Sequence, residues 1–228
     1  MSHIDRALLR LHVEAVWGVR LPRIVQNDIE VLPGGVKPSW KLLVAEVANG
    51  RLHIWRSDAI DRDRKALLMR ANEAIVLLST ESSAPGISRE VALHLAAQPV
   101  LDIARAQEIA RPLTSRDHSL LESFQRDLGE LHLHVEKWPL IGVIIDGRLV
   151  SLAHSSRRTP EACELGVDTL PEARRRGYAL AVTVMWTRMM LQEGLVPLYS
   201  ALADNKASLA LAAAAGYRVF AYIATIEG

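Results

Sequence analysis

Apolar positions along this chain change rhythm several times, and each change predicts an element. Leu8, Leu11 and Ala15 recur at helical spacing and predict a helix over residues 3–16. Residues 40–47 and 51–55 are apolar stretches joined through Ala48-Asn49-Gly50, where Asn-Gly accepts positive φ, so they predict a hairpin. Asp58 or Asp61 caps a helix running towards Asn72, residues 74–80 predict a short buried strand, and Ser88 opens a further helix that Pro99 closes. This half is an α+β pattern with no chemical motif. Its loops, Pro33-Gly34-Gly35 and residues 79–86, lack the Lys-Ser/Thr ending of a nucleotide-binding P-loop. No sequence repeat links it to the second half of the chain.

From Ile109 onward the punctuation is more regular. Residues 110–114 predict a short strand leading to Ser115, and Asp117 and Glu122 stand at the start of an amphipathic helix carrying Leu120, Leu121 and Phe124. Residues 140–145 and 148–153 predict two strands around Asp146-Gly147, the strongest short-range hairpin signal in the chain. A third strand over 162–167 should join them in an antiparallel meander. The chain then changes character: Thr169-Leu170-Pro171-Glu172-Ala173 leads into Arg174-Arg175-Arg176-Gly177-Tyr178-Ala179 and a long apolar helix that Gly194 ends. Residues 198–202 predict a strand, 205–215 a helix with Gly216 as its left-handed cap, and 218–224 a last strand.

Composition narrows the class. Half of the 228 residues are apolar, 23% are charged, and 27 basic side chains stand against 26 acidic ones, which excludes intrinsic disorder. A net charge of +1 and an aromatic fraction of 5% disfavour dedicated nucleic-acid binding. The lone Cys163 cannot form an intramolecular disulfide, and Asp5, Arg6 and Arg10 occupy the place where a signal peptide needs an apolar core, so a cytoplasmic protein is expected. No uncharged run reaches the roughly 18–20 residues of a membrane span, and no membrane partner is expected. The length allows one large domain or a standard domain plus a smaller one, at roughly 150 residues per domain.

The arginine-rich segment between a strand and a helix start is built for an anion. The first N–H groups of a helix lack intrahelical partners and the macrodipole adds positive charge there, so a phosphate fits on the backbone from Arg175 to Leu180. Gly177 and the small Ala179 let that backbone come close, and three guanidinium groups can pair with phosphate oxygens. The bland alternative is a solvated basic turn, which is what a charge run usually is; the position between strand and helix favours the receptor.

At this point the residues resemble a family. The string Val167-x-x-x-Pro171-Glu172-x-Arg174-x-x-Gly177-x-Ala179, followed by Asn205-x-x-Ser208 and then Gly216-Tyr217, is similar to the acetyl-CoA-binding core of the GNAT superfamily of acyl-CoA N-acyltransferases. The resemblance covers about residues 109–227 and implies a mixed, mostly antiparallel central sheet flanked by helices over 106–228, preceded by a smaller α+β domain over 1–105. It further implies acetyl-CoA as acyl donor, its pyrophosphate on Arg174, Arg175, Arg176, Gly177, Tyr178, Ala179 and Leu180, and its pantetheine arm paired like an extra strand with Leu165 and Val167. Asn205, with Ser208 nearby, would hold the arm from the other side. The implied chemistry is direct attack of a primary amine on the thioester in a ternary complex, with the N–H near Val167 as oxyanion donor and no covalent role for Cys163.

One position departs from the family pattern. Members often place a tyrosine, as proton donor to the leaving thiolate, at the position that is Ala212 here. Tyr217 and Tyr199 are candidate substitutes, with packed strand-end aromatics as the alternative reading. Glu164 is a candidate general base through a water if its side chain faces the acceptor cleft, and a surface carboxylate otherwise. Asn205 fits equally the role of helix cap. His132, His134 and Glu136 alternate on one face of an extended chain, but without a fourth ligand no metal site is assigned, and acceptor-cleft lining or ordinary exposed polar positions are the other readings; His154 is similarly open. Trp138 before Pro139 reads as a packing anchor. The expected function is N-acetyl transfer to a small-molecule or peptide amine, and the rival is a non-catalytic acyl-CoA-binding regulatory module. The first hundred residues would shape the acceptor cleft, form a homodimer contact, or be a degenerate half of the same fold.

Overall fold

The computed structural model describes residues 2–23, 27–76, 85–128 and 138–227. In chain order the elements are α1 (Ser2–Trp17), β1 (Asp28–Glu30), β2 (Trp40–Val47), β3 (Gly50–Trp55), α2 (Asp61–Val76), β4 (Ile87–Leu95), α3 (Ile103–Ile109), β5 (Arg111–Pro112), α4 (His118–Leu128), β6 (Ile141–Ile145), β7 (Arg148–Arg158), β8 (Ala162–Thr169), α5 (Tyr178–Gln192), β9 (Val196–Leu202), α6 (Lys206–Ala214) and β10 (Tyr217–Glu227). The fold is mixed α+β with mostly antiparallel pairing. It divides into two compact units: Met1–His94 with Tyr199–Leu209 and Arg218–Gly228, and Leu95–Leu198 with Ala210–Tyr217.

In the first unit the strands run in the order β1-β3-β2-β10-β4. β2 pairs antiparallel with both β3 and β10, and short β1 lies parallel to β3. The near-continuous apolar run of β2 follows from burial on both faces. Leu43, Ala45 and Val47 join Leu9 and Val13 of α1 in one core cluster, while Leu42 and Val44 join Leu67, Ala71 and Ile75 of α2 in another. Strand alternation thus divides one segment between two helices.

Two expectations from the sequence fail in this unit. The strand anticipated over 74–80 begins as helix: α2 continues to Val76, because Leu67, Ala71, Ala74 and Ile75 extend one buried stripe at helical spacing. Residues 77–80 lie outside the described residues. The helix anticipated from Ser88 is instead β4. Val91, Ala92 and Leu93 are consecutive and all buried, a pattern that a strand covered on both faces satisfies and a single helical stripe does not.

The second unit contains the meander β5-β6-β7-β8, antiparallel throughout, with the start of β9 added parallel to β8. A capping arrangement fixes its entry. Asp117 accepts the Thr114 amide (2.7 Å) and a two-pronged contact from Arg111 (2.6 and 3.0 Å), which ties β5 to the start of α4. The apolar spacing does not predict helix α3; it is short, and its one sequence signal is Asp102, whose side chain accepts the Arg105 amide at its N-terminus. Helix α5 packs on β7 and β8 through an apolar face that includes Ala181, Val182, Met185 and Trp186. Among the described residues no helix is long and apolar enough to cross a membrane.

Candidate functional site

The site is assembled from β8, the turn after it and the start of α5. β8 pairs with β9 only at Ala162↔Val196, Cys163↔Pro197 and Glu164↔Leu198, yet it continues to Thr169 along β7. The ladder phase tells which backbone groups face the unpaired edge. Leu170 donates its N–H to Val150 O at 3.0 Å, so in the same alternation Asp168 and Gly166 bond to β7, while Val167 and Thr169 turn their N–H and C=O groups the other way. The Thr169 carbonyl accepts Arg174 Nε at 3.4 Å, as that phase requires.

The turn after β8 is held at its start and open at its end. Leu170 and Ala173 are buried, and Pro171–Ala173 form a 3-10 turn closed by the Arg174 amide on Pro171 O. Glu172 accepts Arg148 Nη1 at 2.7 Å, and Arg148 also bonds Asp127 at 2.9 Å. Beyond that anchor, residues 174–177 are exposed. Arg175 and Gly177 both have left-handed backbones, φ 61° and 81°. Gly177 is the N-cap of α5 and supplies no side-chain acceptor, so the opening amides at Tyr178, Ala179 and Leu180 receive no cap from it. A Cβ on Gly177 would meet no atom within 4 Å, so its glycine reflects backbone conformation and an open approach rather than crowding. Among the described residues Arg175 and Arg176 are in no ion pair. The arrangement presents a helix start, guanidinium groups and a strand edge with free hydrogen-bonding capacity, all on consecutive chain.

Side chains of β8 are divided between two faces. Trp186 of α5 donates to Ser155 Oγ at 3.3 Å, so Ser155 and its partner Leu165 face α5. Glu164, Gly166 and Asp168 therefore face away from it. Glu164 is buried, accepting Ser156 Oγ and Arg157 Nη1 at 3.2 Å each. Cys163 is buried, and that burial pushes its thiol up from the ordinary value, which keeps it protonated. Tyr217 is 1% exposed with its hydroxyl on Thr187 Oγ1 at 2.8 Å, the surroundings of a core aromatic.

Asn205 and Ser208 lie in the first unit. The Asn205 side chain accepts the Ser208 amide at 3.0 Å, as a cap on α6, and the Ser208 hydroxyl is bonded to Tyr199 at 2.9 Å. Burial raises the Tyr199 phenol above its usual range. Ala212 is fully buried and small, with no group able to move a proton. His132, His134 and Glu136 fall outside the described residues. Two residues that sequence reasoning did not single out stand beside the strand edge: Gly166, against which His154 is packed, and Asp168. Their only signal was the alternation of β8 itself.

A family model described as GNAT acetyltransferase matches residues 107–224. No curated protein matches the chain in sequence. Among solved structures, an acetyltransferase of the GNAT family from Novosphingobium aromaticivorans superposes with a TM-score of 0.52 at 18% identity, covering 99% of this chain and 97% of its own. A GCN5-related N-acetyltransferase-like protein from Streptococcus suis gives 0.52 at 18% identity over 100% of both chains. A GNAT-family acetyltransferase from Colwellia psychrerythraea gives 0.51 at 15% over 77% of this chain and 75% of its own. At these identities the likeness is one of fold.

Proposed function

Because the chain belongs to the GNAT acetyltransferase family, we propose that it binds acetyl-CoA along the second unit's strand edge and transfers the acetyl group to a primary amine in a ternary complex. The observation that carries this reading is the register of β8, which among the described residues parts from β9 after Glu164 while staying on β7, and which leads through the arginine turn to a helix start left uncapped by Gly177.

The residues fit the donor chemically. Amides of Tyr178, Ala179 and Leu180, with the Arg174, Arg175 and Arg176 guanidinium groups, receive a pyrophosphate. The backbone of Leu165 and Val167 pairs with a pantetheine amide as it would with a neighbouring strand. Bound acetyl-CoA supplies a thioester carbonyl open to an amine. The Val167 N–H, directed to that edge by the ladder phase, stabilises the charge that develops on the carbonyl oxygen as the C–N bond forms and the C–S bond breaks. Fixing both reactants on one strand replaces a bimolecular encounter by an oriented one. Cys163, buried and protonated, takes no part.

Proton transfer to the leaving thiolate falls to water, since Ala212 carries no acid and the Tyr217 hydroxyl is held by Thr187. A coenzyme A thiol is acidic enough that the loss of a general acid, about 10²-fold, leaves turnover measurable. The same Ala212 supports the rival reading, an acyl-CoA-binding module without chemistry. Release of free thiol from acetyl-CoA, followed against a panel of primary amines, separates the two. Transfer predicts amine-dependent release that drops when Arg174, Arg175 and Arg176 are changed together to alanine. Tight acetyl-CoA binding with no release by any amine would leave the binding module standing.

A further inference from the structure

Gly166 lies in the stretch of β8 beyond Glu164, which keeps β7 on one side but, among the described residues, has no strand paired on its β9 side, and its backbone is not left-handed. Its need for glycine comes from a neighbour. A Cβ built there would lie 2.3 Å from Cε1 and 2.5 Å from Nε2 of His154, its cross-strand partner on β7. The His154 ring is thus pressed onto the Gly166 backbone, on the sheet face turned away from α5.

His154 is 5% exposed, and among the described residues its buried Nδ1 has no hydrogen-bond partner. Nε2 lies 3.5 Å from Asp168 Oδ2. A buried ring nitrogen without a partner is destabilising, and an apolar side chain would fill the same space without that cost. What histidine alone adds is a ring nitrogen 3.5 Å from a carboxylate. Asp168 is not buried with it: its side chain keeps 35% of its exposure. It follows Val167 directly, so the carboxylate stands one residue from the amide that faces the acyl group. The 3.5 Å separation is long for a hydrogen bond, as contacts of this kind often are before the reactants are in place.

We infer that Asp168 is the carboxylate that receives the acceptor amine in its ammonium form, and that His154, wedged on Gly166, is the positioning residue that holds this carboxylate towards Val167. The inference rests on the transferase reading above and names its acceptor class: alkyl amines that are cationic at neutral pH, in preference to arylamines or hydrazides that are neutral. The bound ammonium gives one proton to Asp168, which passes it to solvent through its exposed oxygen. The freed lone pair forms the C–N bond as the C–S bond breaks, the second proton goes to the departing thiolate, and the third stays on the amide nitrogen.

The test is steady-state kinetics on the full chain with one alkyl amine and one neutral hydrazide as acceptors. Asp168→Asn is expected to raise KM for the alkyl amine by about tenfold or more, while the hydrazide and acetyl-CoA constants move by less than about threefold. His154→Ala and Gly166→Ala should each lower kcat/KM for the alkyl amine by about tenfold, and the double variant should lose no more than either alone, because both remove one contact. Should His154→Ala fail to fold, Gly166→Ala, which displaces the ring and keeps both side chains, carries the same comparison with the hydrazide. A wild-type protein that releases no thiol with any amine overturns the transferase reading and this assignment with it. Wild-type turnover with Asp168→Asn unimpaired, equal losses on both acceptors, or additive losses in the double variant overturns this assignment alone.

Discussion

At the scale of single residues, the turn after β8 sets conformational strain against affinity. Arg175 holds a left-handed backbone at φ 61° that costs a side-chain-bearing residue about 1–2 kcal/mol. Arg175→Gly is therefore expected to raise unfolding free energy by about 1 kcal/mol while weakening coenzyme A binding several-fold. Denaturant unfolding and a binding titration on the same sample check both signs; a variant that is less stable and binds as before would remove Arg175 from the anion receptor. Asp117 behaves oppositely, as a purely structural charge. The Arg111 guanidinium, with the Thr114 amide, holds its carboxyl well below the usual carboxylate range against the opposing effect of burial. A depressed folded value means its contribution is fully present above the unfolded value near 3.9 and is lost as pH falls towards the folded one. Asp117→Asn should cost about 1–3 kcal/mol at neutral pH and make stability flatter below about pH 4, measured by urea midpoints across that range.

At the scale of elements, the edge of β8 makes a prediction that backbone exchange can read. The Val167 amide faces the side where, among the described residues, no strand is registered, so it should exchange quickly in the free protein and become protected with acetyl-CoA, while Gly166 and Asp168, bonded to β7, stay slow in both states. Equal protection of Val167 with and without the donor would contradict the strand-like pairing. What could be seen beforehand depends on how each element is specified. The hairpins at Asn49-Gly50 and Asp146-Gly147 and the left-handed caps at Gly194 and Gly216 are local decisions, legible in a few residues. β4 was not, because Ser88 and Pro99 imitate helix ends while the deciding fact, burial of Val91, Ala92 and Leu93 on two faces, belongs to partners distant in sequence. The arginine turn was legible for the same reason as the hairpins. The setting of Asp168 was not, since it depends on a histidine brought opposite Gly166 by strand register.

At the scale of the whole molecule, segments late in the sequence complete the first unit. The sequence suggests a boundary near residue 105, whereas Tyr199–Leu209 and Arg218–Gly228 cluster with Met1–His94. Nothing in local composition announces this, because β10 pairs with β2 across most of the chain. Phe220, Ala221 and Ile223 share a core with Leu9, Val13, Trp40 and Ile54, and Ala224 and Ile226 share the other with Leu42 and Val44. A chain ending before Tyr217 is expected to lose the cooperative unfolding of its first ninety-odd residues and to aggregate; a sharp transition in such a truncation, followed by tryptophan fluorescence of Trp40 and Trp55, would refute that dependence.

The pairing of β10 with β2 also sets a timetable. A ribosome adding about 5–20 residues per second delivers β2 on the order of ten seconds before β10 exists. During that interval β2 has its β3 neighbour on one side and, on the other, an apolar edge waiting for a strand not yet synthesised. The sheet whose β2 is translated early is thus closed only when β10 follows, and its survival in that interval depends on translation speed and on whatever shields a half-built sheet.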